Sequence, residues 1–321
     1  MTAAPRIQLL ARDNGAGLSR DMALLAAALG ETGASVRTRG LPHRGRWAEW
    51  MTRVQLTGRP PAFDLNLMLE RVRPEFARAA RRNVLVPNPE YFRVQDRAAL
   101  GCIDTVWVKT RHAERLFAAL GVATRYIGFA SPDRLDAAVP HRHAFFHGPG
   151  RSNNKGTAAL LALWAEHPEW PLLTVAWRRK RVELEALPPN VRLIREHLDD
   201  AAYRRLQNEH RFHLCPSQTE GYGHYLVEAM SCGAVVATLD AEPMSELVSA
   251  ERGVLVPAQA AGTQDLATLY GFRAEDMARA IERCAAMPEA EAAALGTAAR
   301  AWFEAERAAF PRRLREALDA A

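Results

Sequence analysis

Hydrophobic and polar positions along the chain fall into short apolar runs separated by longer amphipathic stretches. Ile7–Ala11 reads as a strand. The turn that follows holds Gly15 and Gly17, and a helix beginning at Ser19 or Asp21 runs to Leu29 before Gly30 and Gly33 end it. Ala34–Thr38 is the next strand, which makes a β-loop-α-β unit. Further strands are expected at Asp64–Leu69, Asn83–Val86 and Thr105–Val108, with a helix to Leu120 and a closing run at Arg125–Phe129. Ser131–Arg142, carrying Pro132 and Pro140, reads as a linker. The alternation then resumes. Strands are expected at Ala144–His147, Leu172–Trp177, Val191–Ile194, the run to Cys215, Ala234–Thr238 and, last, Gly253–Val256. Helices are expected from Thr157 to Glu166 and over Leu198–Glu209, Ala274–Ala286, Glu289–Phe310 and Arg312–Ala320, with a break at Pro288 and a kink at Pro311. An α/β chain of 321 residues fits two domains of roughly 150 residues each, placed at 1–135 and 143–304.

Chemistry concentrates in His213–Gly233. An apolar strand end turns at Pro216-Ser217, passes Gly221 and Gly223, and enters a helix near His224 or Tyr225 that should stop at Gly233. Glycines there let backbone N–H groups approach a ligand, and the start of a helix favours an anion. Glu220 and Glu228, eight residues apart, would repel a phosphate but suit hydroxyl groups. Phosphate at the loop and hydroxyls at the acids together describe a nucleotide-sugar. The same run also suits an ordinary strand–loop–helix corner whose acids cap and solvate the helix. Gly15 and Gly17 stand where phosphates are met in doubly wound sheets, but their spacing is not G-x-G-x-x-G. A looser role near a sugar diphosphate, or a tight turn, are the two readings of that loop.

The run PSQTEGYGHYLVEAMSCGAVVAT, followed by SELV and RGVLVP, resembles the donor-binding half of glycosyltransferase family 4 and its GT-B relatives, the glycosyl transferases group 1. Their hallmark is Glu, seven residues, Glu, with a Gly-aromatic-Gly turn inside. The resemblance spans 210–258, extends more loosely over 144–210, and thins out across the first 140 residues. It implies an α/β GT-B fold, in which two Rossmann-like domains with parallel sheets face a central cleft and a final helix, here about 305–321, packs back on the first domain. It also implies transfer of a hexose from a nucleotide diphosphate sugar, UDP- or GDP-linked, to a carbohydrate, lipid-linked or other hydroxyl acceptor. Retention at the anomeric carbon, and a place in bacterial surface polysaccharide, glycolipid or glycoconjugate synthesis, belong to the same expectation. In the family, an Arg and a Lys after the first strand of the second domain clamp the donor diphosphate; by position these are Arg151 and Lys155. His197 and Leu198 would border the nucleotide base. Glu220 would hold sugar hydroxyls, Glu228 the ribose, and Gly221, Tyr222, Gly223, His224, Tyr225 and Leu226 would shape the sugar pocket.

The remaining features narrow this picture. The chain offers no Asp-x-Asp and no His/Asp cluster with ligand spacing, so side-chain cations rather than a metal are expected to face the leaving diphosphate, and no cofactor is expected. Residues just past the ends of parallel strands face a crevice, which makes Glu70, Asn88, Glu90, Lys109 and Thr110 acceptor-side or catalytic candidates. Glu90 leads them because Pro87 and Pro89 stiffen its loop. His43, Arg44, Arg46, Trp47, Trp50 and Arg53 mix basic and aromatic residues in a short amphipathic stretch. It either meets anionic headgroups or an acceptor, or packs its tryptophans inward. Four cysteines without a C-x-x-C, no secretory leader and no 18-residue apolar run point to the cytoplasm, with peripheral contact to the inner face of the membrane left open. The net charge of +5 suits anionic substrates or an anionic surface, and no nucleic-acid partner is expected. Two rival functions stay open: another GT-B activity such as a nucleotide-sugar epimerase, and a non-catalytic partner subunit.

Overall fold

The structure is a computed structural model that describes residues 4–12, 17–41, 46–150, 152–178 and 187–321. It divides into two compact units. Gly15, Arg151 and the 42–45 part of the basic-aromatic stretch lie outside the described residues, as does the side chain of Arg46.

The first unit takes in Met1–Ala130, Gln264–Ala267 and Glu306–Ala321. Its elements in order are β1 (Arg6–Arg12), α1 (Gly17–Glu31), β2 (Ser35–Leu41), α2 (Arg46–Leu56), β3 (Phe63–Leu69), β4 (Ala80–Val86), α3 (Val94–Ala98), β5 (Thr105–Val108), α4 (Arg111–Ala118) and β6 (Thr124–Tyr126). All pairings in the sheet are parallel, in the order β2-β1-β3-β4-β5-β6, so strand order reverses between β1 and β3. Ile7, Leu9, Leu10, Leu67, Met68 and Leu85 are fully buried, as central parallel strands covered on both faces require. Helix α1 buries Leu18, Asp21, Leu25, Ala28 and Leu29, one face at helical spacing. Helix α2 does the opposite: Trp47 and Trp50 are 73% and 57% exposed, so the inward-packed alternative does not hold.

The second unit takes in Ser131–Thr263 and Thr268–Ala305. It contains β7 (Arg142–Gly150), α5 (Thr157–Glu166), β8 (Leu173–Trp177), β9 (Val191–Ile194), α6 (Asp200–Glu209), β10 (His210–Cys215), α7 (His224–Ser231), β11 (Val235–Asp240), α8 (Met244–Leu247), β12 (Gly253–Pro257), β13 (Gln259–Gln264), β14 (Ala267–Gly271) and α9 (Ala274–Ala285), and α10 (Glu289–Asp319) begins in it. The sheet order β12-β11-β10-β7-β8-β9 is all parallel and reverses between β7 and β10, the doubly wound Rossmann arrangement. No helix among the described residues is long and apolar enough to cross a membrane.

Four expectations are corrected. The stretch read as a linker is instead laced onto the second unit. Arg134 Nε donates to Gln207 Oε1 at 2.8 Å, its Nη1 meets Asp200 at 2.8 Å, and Arg300 from α10 grips Asp133 with both guanidinium nitrogens. Its two prolines fit a linker, but polar side chains anchor it to the second unit. Second, α10 runs unbroken through Pro311. A proline inside a helix costs about 3 kcal/mol, and the burial of Phe310, Leu314 and Ala317 on either side of it outweighs that. Third, β12 is not the last strand, since the hairpin β13–β14 follows it. Its first strand is exposed nearly throughout and lacks apolar alternation. Fourth, α6 starts at Asp200 rather than Leu198, because the Asp199 carboxylate caps it by accepting from Ala202 N at 2.7 Å.

Buried histidines tie the second sheet together. His147 Nδ1 donates to the Leu214 carbonyl at 2.7 Å, joining β7 to β10, and its Nε2 then accepts from Thr157 Oγ1 at 2.8 Å. His213 Nε2 donates to the Gln207 carbonyl at 2.9 Å. Burial pushes His147 down to about 4 and His213 down to about 3, and it lowers His141 and His210 as well. The unfolded chain therefore binds protons that the folded one refuses as pH falls below about 6.5. Unfolding free energy should be level above that pH and drop between it and about pH 4, by roughly 1.4 kcal/mol per pH unit for each of His147 and His213, with His141 and His210 adding in the same direction. Urea melts across the range will test this; an acid limb that begins only where carboxylates titrate would contradict it.

Candidate functional site

Two helices of the second unit begin beside the point where its strand order reverses. After β7 the chain reaches Asn154, Lys155 and Gly156, and α5 starts at Thr157. After β10 it passes Pro216 to Gly223, and α7 starts at His224. Both N-caps are left-handed glycines, Gly156 with φ 67° and Gly223 with φ 104°, and neither helix has a side-chain cap. First-turn N–H groups without a capping side chain, at the carboxyl ends of two central parallel strands, form a ready anion site.

The two loops meet at a charged pair. Lys155 Nζ is ion-paired with Glu220 Oε1, and the two side chains are only 14% and 10% exposed. The same ammonium lies over the Tyr225 ring, 4.2 Å from its centroid. Ser217 Oγ donates to Glu220 and also meets the Tyr225 hydroxyl. Burial, with Cys215 and Glu220 adding to it, pushes the Tyr225 phenol well above its ordinary range, so the ring stays neutral. Burial likewise raises the Cys215 thiol, which is therefore no nucleophile. Main-chain bonds hold the frame: Gln218 N donates to the Asn154 carbonyl at 2.8 Å, and Tyr270 N from β14 donates to the Gln218 carbonyl at 2.8 Å.

Other expected residues lie elsewhere. Glu228 is buried, and its Oε2 accepts from Gln207 Nε2 at 3.0 Å, which links it to Arg134 and Asp200. Thus the two acids of the Glu-x7-Glu motif enter different networks. Tyr222 is buried with its ring 5.2 Å from that of His224, and His224 Nδ1 pairs with Ser131 Oγ at 2.7 Å. Gly221 is enclosed in the turn and Leu226 is core. His197 is exposed on the loop after β9, and Leu198 packs against Phe146, Ala176, Ile194 and Leu206.

The remaining candidates belong to the first unit. Gly17 is the first, exposed residue of α1. Glu90 is buried, and its carbonyl accepts from Gln264 Nε2 at 2.8 Å. Lys109 is a buried, satisfied cation, ion-paired with Asp21 and 3.0 Å from Asn88 Oδ1. Thr110 caps α4. Glu70 takes a left-handed backbone (φ 65°) at the end of β3, and burial raises its carboxyl.

Ser217 was not singled out from sequence, although it touches both Glu220 and Tyr225. A serine in a turn carries no special pattern, and only its position three residues before Glu220 could have marked it. Among the described residues no group of three or more His, Cys, Asp or Glu side chains is placed to hold a metal ion.

Two Rossmann-like units with this strand order and a site at the second unit's reversal point define a GT-B fold. Residues 142–286 match the family Glycosyl transferases group 1. The chain is similar in structure to sucrose-phosphate synthase from Thermosynechococcus elongatus, at a TM-score of 0.73 and 17% identity, covering 99% of this chain and 100% of that one. It is also similar to Anabaena HepE solved with UDP-glucose, at 0.72 and 14% identity over 99% and 100% of the two chains. A glycosyltransferase from Rickettsia africae gives 0.70 and 12% identity over 99% and 98%. At these identities the likeness is one of fold. No curated protein sequence matches the chain.

The geometry places a sharp demand on one glycine. A Cβ on Gly156 would stand 2.7 Å from the Pro216 carbonyl oxygen, at a left-handed φ that L side chains resist. Gly156→Ala should therefore lower stability by about 1–3 kcal/mol and loosen the contact between the two loops. A thermal melt that matches the unsubstituted protein would show that the loops do not depend on this approach.

Proposed function

We propose that the chain transfers a hexose from a nucleoside diphosphate sugar to an acceptor hydroxyl with retention at the anomeric carbon, without a metal at the diphosphate. The supporting observation is the enclosed Lys155–Glu220 pair at the β7/β10 reversal point, beside two helix starts that carry no side-chain cap. An ammonium so enclosed needs an anionic partner, and Glu220 supplies one. When a diphosphate enters, Lys155 and the first-turn N–H groups take the phosphate, which frees the Glu220 carboxylate to accept from sugar hydroxyls. Arg151, which lies outside the described residues, is the proposed second cation. Glu228 presents a carboxylate already pinned by Gln207, suited to the ribose hydroxyls. HepE was solved with UDP-glucose, which supports a UDP-sugar donor, with a GDP-sugar the other candidate.

The reaction balances without a protein nucleophile. The bond from the anomeric carbon to the β-phosphate oxygen breaks through an oxocarbenium-like state. The acceptor oxygen bonds to that carbon on the same face, and its proton passes to the departing phosphate oxygen. Lys155 and the main-chain donors stabilise the charge that develops on the diphosphate. The acceptor is a carbohydrate, lipid-linked or other alcohol, in keeping with assembly of surface polysaccharide, glycolipid or glycoconjugate.

Transfer to an acceptor and release of nucleoside diphosphate should be assayed together. Lys155→Ala and Glu220→Ala should each lose transfer on the order of a hundredfold to a thousandfold; each also leaves the other charge enclosed without its partner, so a lower melting temperature with a still cooperative melt is expected. Glu228→Ala should mainly weaken binding of the free nucleotide, by roughly tenfold in calorimetry. Unimpaired turnover in both of the first two variants would reject the site, and donor conversion without any acceptor would favour an epimerase. Activity should also survive EDTA; its loss, with recovery on adding a divalent ion, would overturn the metal-free part.

A further inference from the structure

Helix α2 turns its apolar side away from its own domain. Trp47, Trp50, Met51 and Val54 are 73%, 57%, 42% and 51% exposed. Their spacing of three, four and seven residues puts all four on one face. The two indole rings lie 5.6 Å apart, a contiguous aromatic surface. The side facing the domain is mixed: Thr52 is buried with its hydroxyl on the Ala48 carbonyl at 2.9 Å, Glu49 is half-buried, and only Leu56 packs against the core cluster. A helix that needed only its own domain would be the reverse. Exposing two tryptophans at one place is unfavourable unless something covers them.

Charge accompanies this face. Beyond the C-terminal end of α2 is an open hollow of about 550 Å³ lined by Leu56, Arg59, Arg78, Arg81 and Asp104 among others. All three arginines are exposed, as is Arg53 on the helix itself. Of the nearby acids, Asp104 is already bonded to Asn83 N at 2.7 Å, and Asp64 lies 3.7 Å from Arg81. The charge bias extends to the whole segment. Residues 1–130 hold 20 Lys and Arg against 11 Asp and Glu, whereas 131–321 hold 22 against 26. All of the chain's excess positive charge thus resides in the part that carries α2.

We propose that α2 and the Arg59/Arg78/Arg81 hollow dock the protein on an anionic phospholipid bilayer. The eleven-residue helix, roughly 16 Å long, lies in the plane of the interface. Trp47, Trp50, Met51 and Val54 enter the boundary between headgroups and acyl chains, where indole rings are favoured. The arginines meet lipid phosphates, with the segment's general positive charge drawing it to the surface. A protein groove would account for the apolar stripe alone; a bilayer with anionic headgroups accounts for the stripe, the hollow and the charge bias together. Nothing in this depends on the donor-site reading.

The test is flotation of the full-length protein with vesicles of phosphatidylcholine alone or mixed with phosphatidylglycerol. Association is expected with the mixed vesicles, should weaken as salt is raised, and should be slight with phosphatidylcholine alone. Trp47→Ser/Trp50→Ser should reduce partitioning at least about tenfold. Arg59→Ala/Arg78→Ala/Arg81→Ala should reduce it about as much, and only on the anionic vesicles. Both variants should keep the parental melting temperature and nucleotide binding. Failure of the parent to float with either vesicle, equal flotation of the tryptophan variant, or equal binding to both vesicle types would overturn the proposal. So would a parental dimer in light scattering that the tryptophan variant turns into a monomer, since the stripe would then belong to a second copy.

Discussion

An ammonium enclosed between two loops must have a counter-charge, and the second unit is arranged to supply it. Lys155 follows β7 and Glu220 follows β10, the two neighbouring strands from which the sheet winds in opposite directions. The pairing fixes the loop ends relative to each other, and the main-chain bond from Gln218 to Asn154 holds them again one residue from Lys155 and two from Glu220. Below the pair, His147 repeats the link between the same two strands with a neutral side chain. Charge at the surface of the sheet and neutral hydrogen bonding beneath it thus serve the same junction. Each suits its depth, because a protonated imidazole under the pair would add a second buried cation beside Lys155.

The second acid of the motif is tied into the structure of the second unit. Glu228 is held by Gln207, which Arg134 orients, and Arg134 is held in turn by Asp200. The chain that enters the second unit at Ser131 is therefore attached through the network that fixes Glu228. Ser131 itself pairs with His224 at the start of α7. Any shift of that segment would move both the first residue of α7 and the carboxylate one turn further along it.

Much of this was legible in the sequence because it was local. Strands such as Ile7–Ala11 and Val235–Asp240 are apolar runs between loops, and the α7 boundaries follow from Gly223 and Gly233. Lys155 and Glu220 could each be singled out, but their contact could not, since 65 positions separate them. What stayed hidden depends on long-range polar pairing. The prolines of 131–142 signalled a tether, whereas Asp133 and Arg134 find partners up to 167 positions away in α10. Pro311 divided two expected helices at a kink, and only the burial of Phe310 and Leu314 in three dimensions shows why a single helix continues through it. The hairpin β13–β14 escaped because Gln259–Gln264 lacks the alternation that marks a half-buried strand.

The uneven charge along the chain constrains how an anionic donor could be held. The second unit's stretch from 131 onward carries more acids than bases, so it offers no general attraction for a diphosphate. On the proposed function, binding there would come from groups within a few ångströms: the Lys155 ammonium and N–H groups at two helix starts. Such contacts are short-ranged and little screened by salt, unlike the diffuse positive field of the first 130 residues. A nucleotide-sugar would therefore be recognised by local geometry. The long-range field, with α2 and its exposed tryptophans, is left to act on something much larger than a substrate.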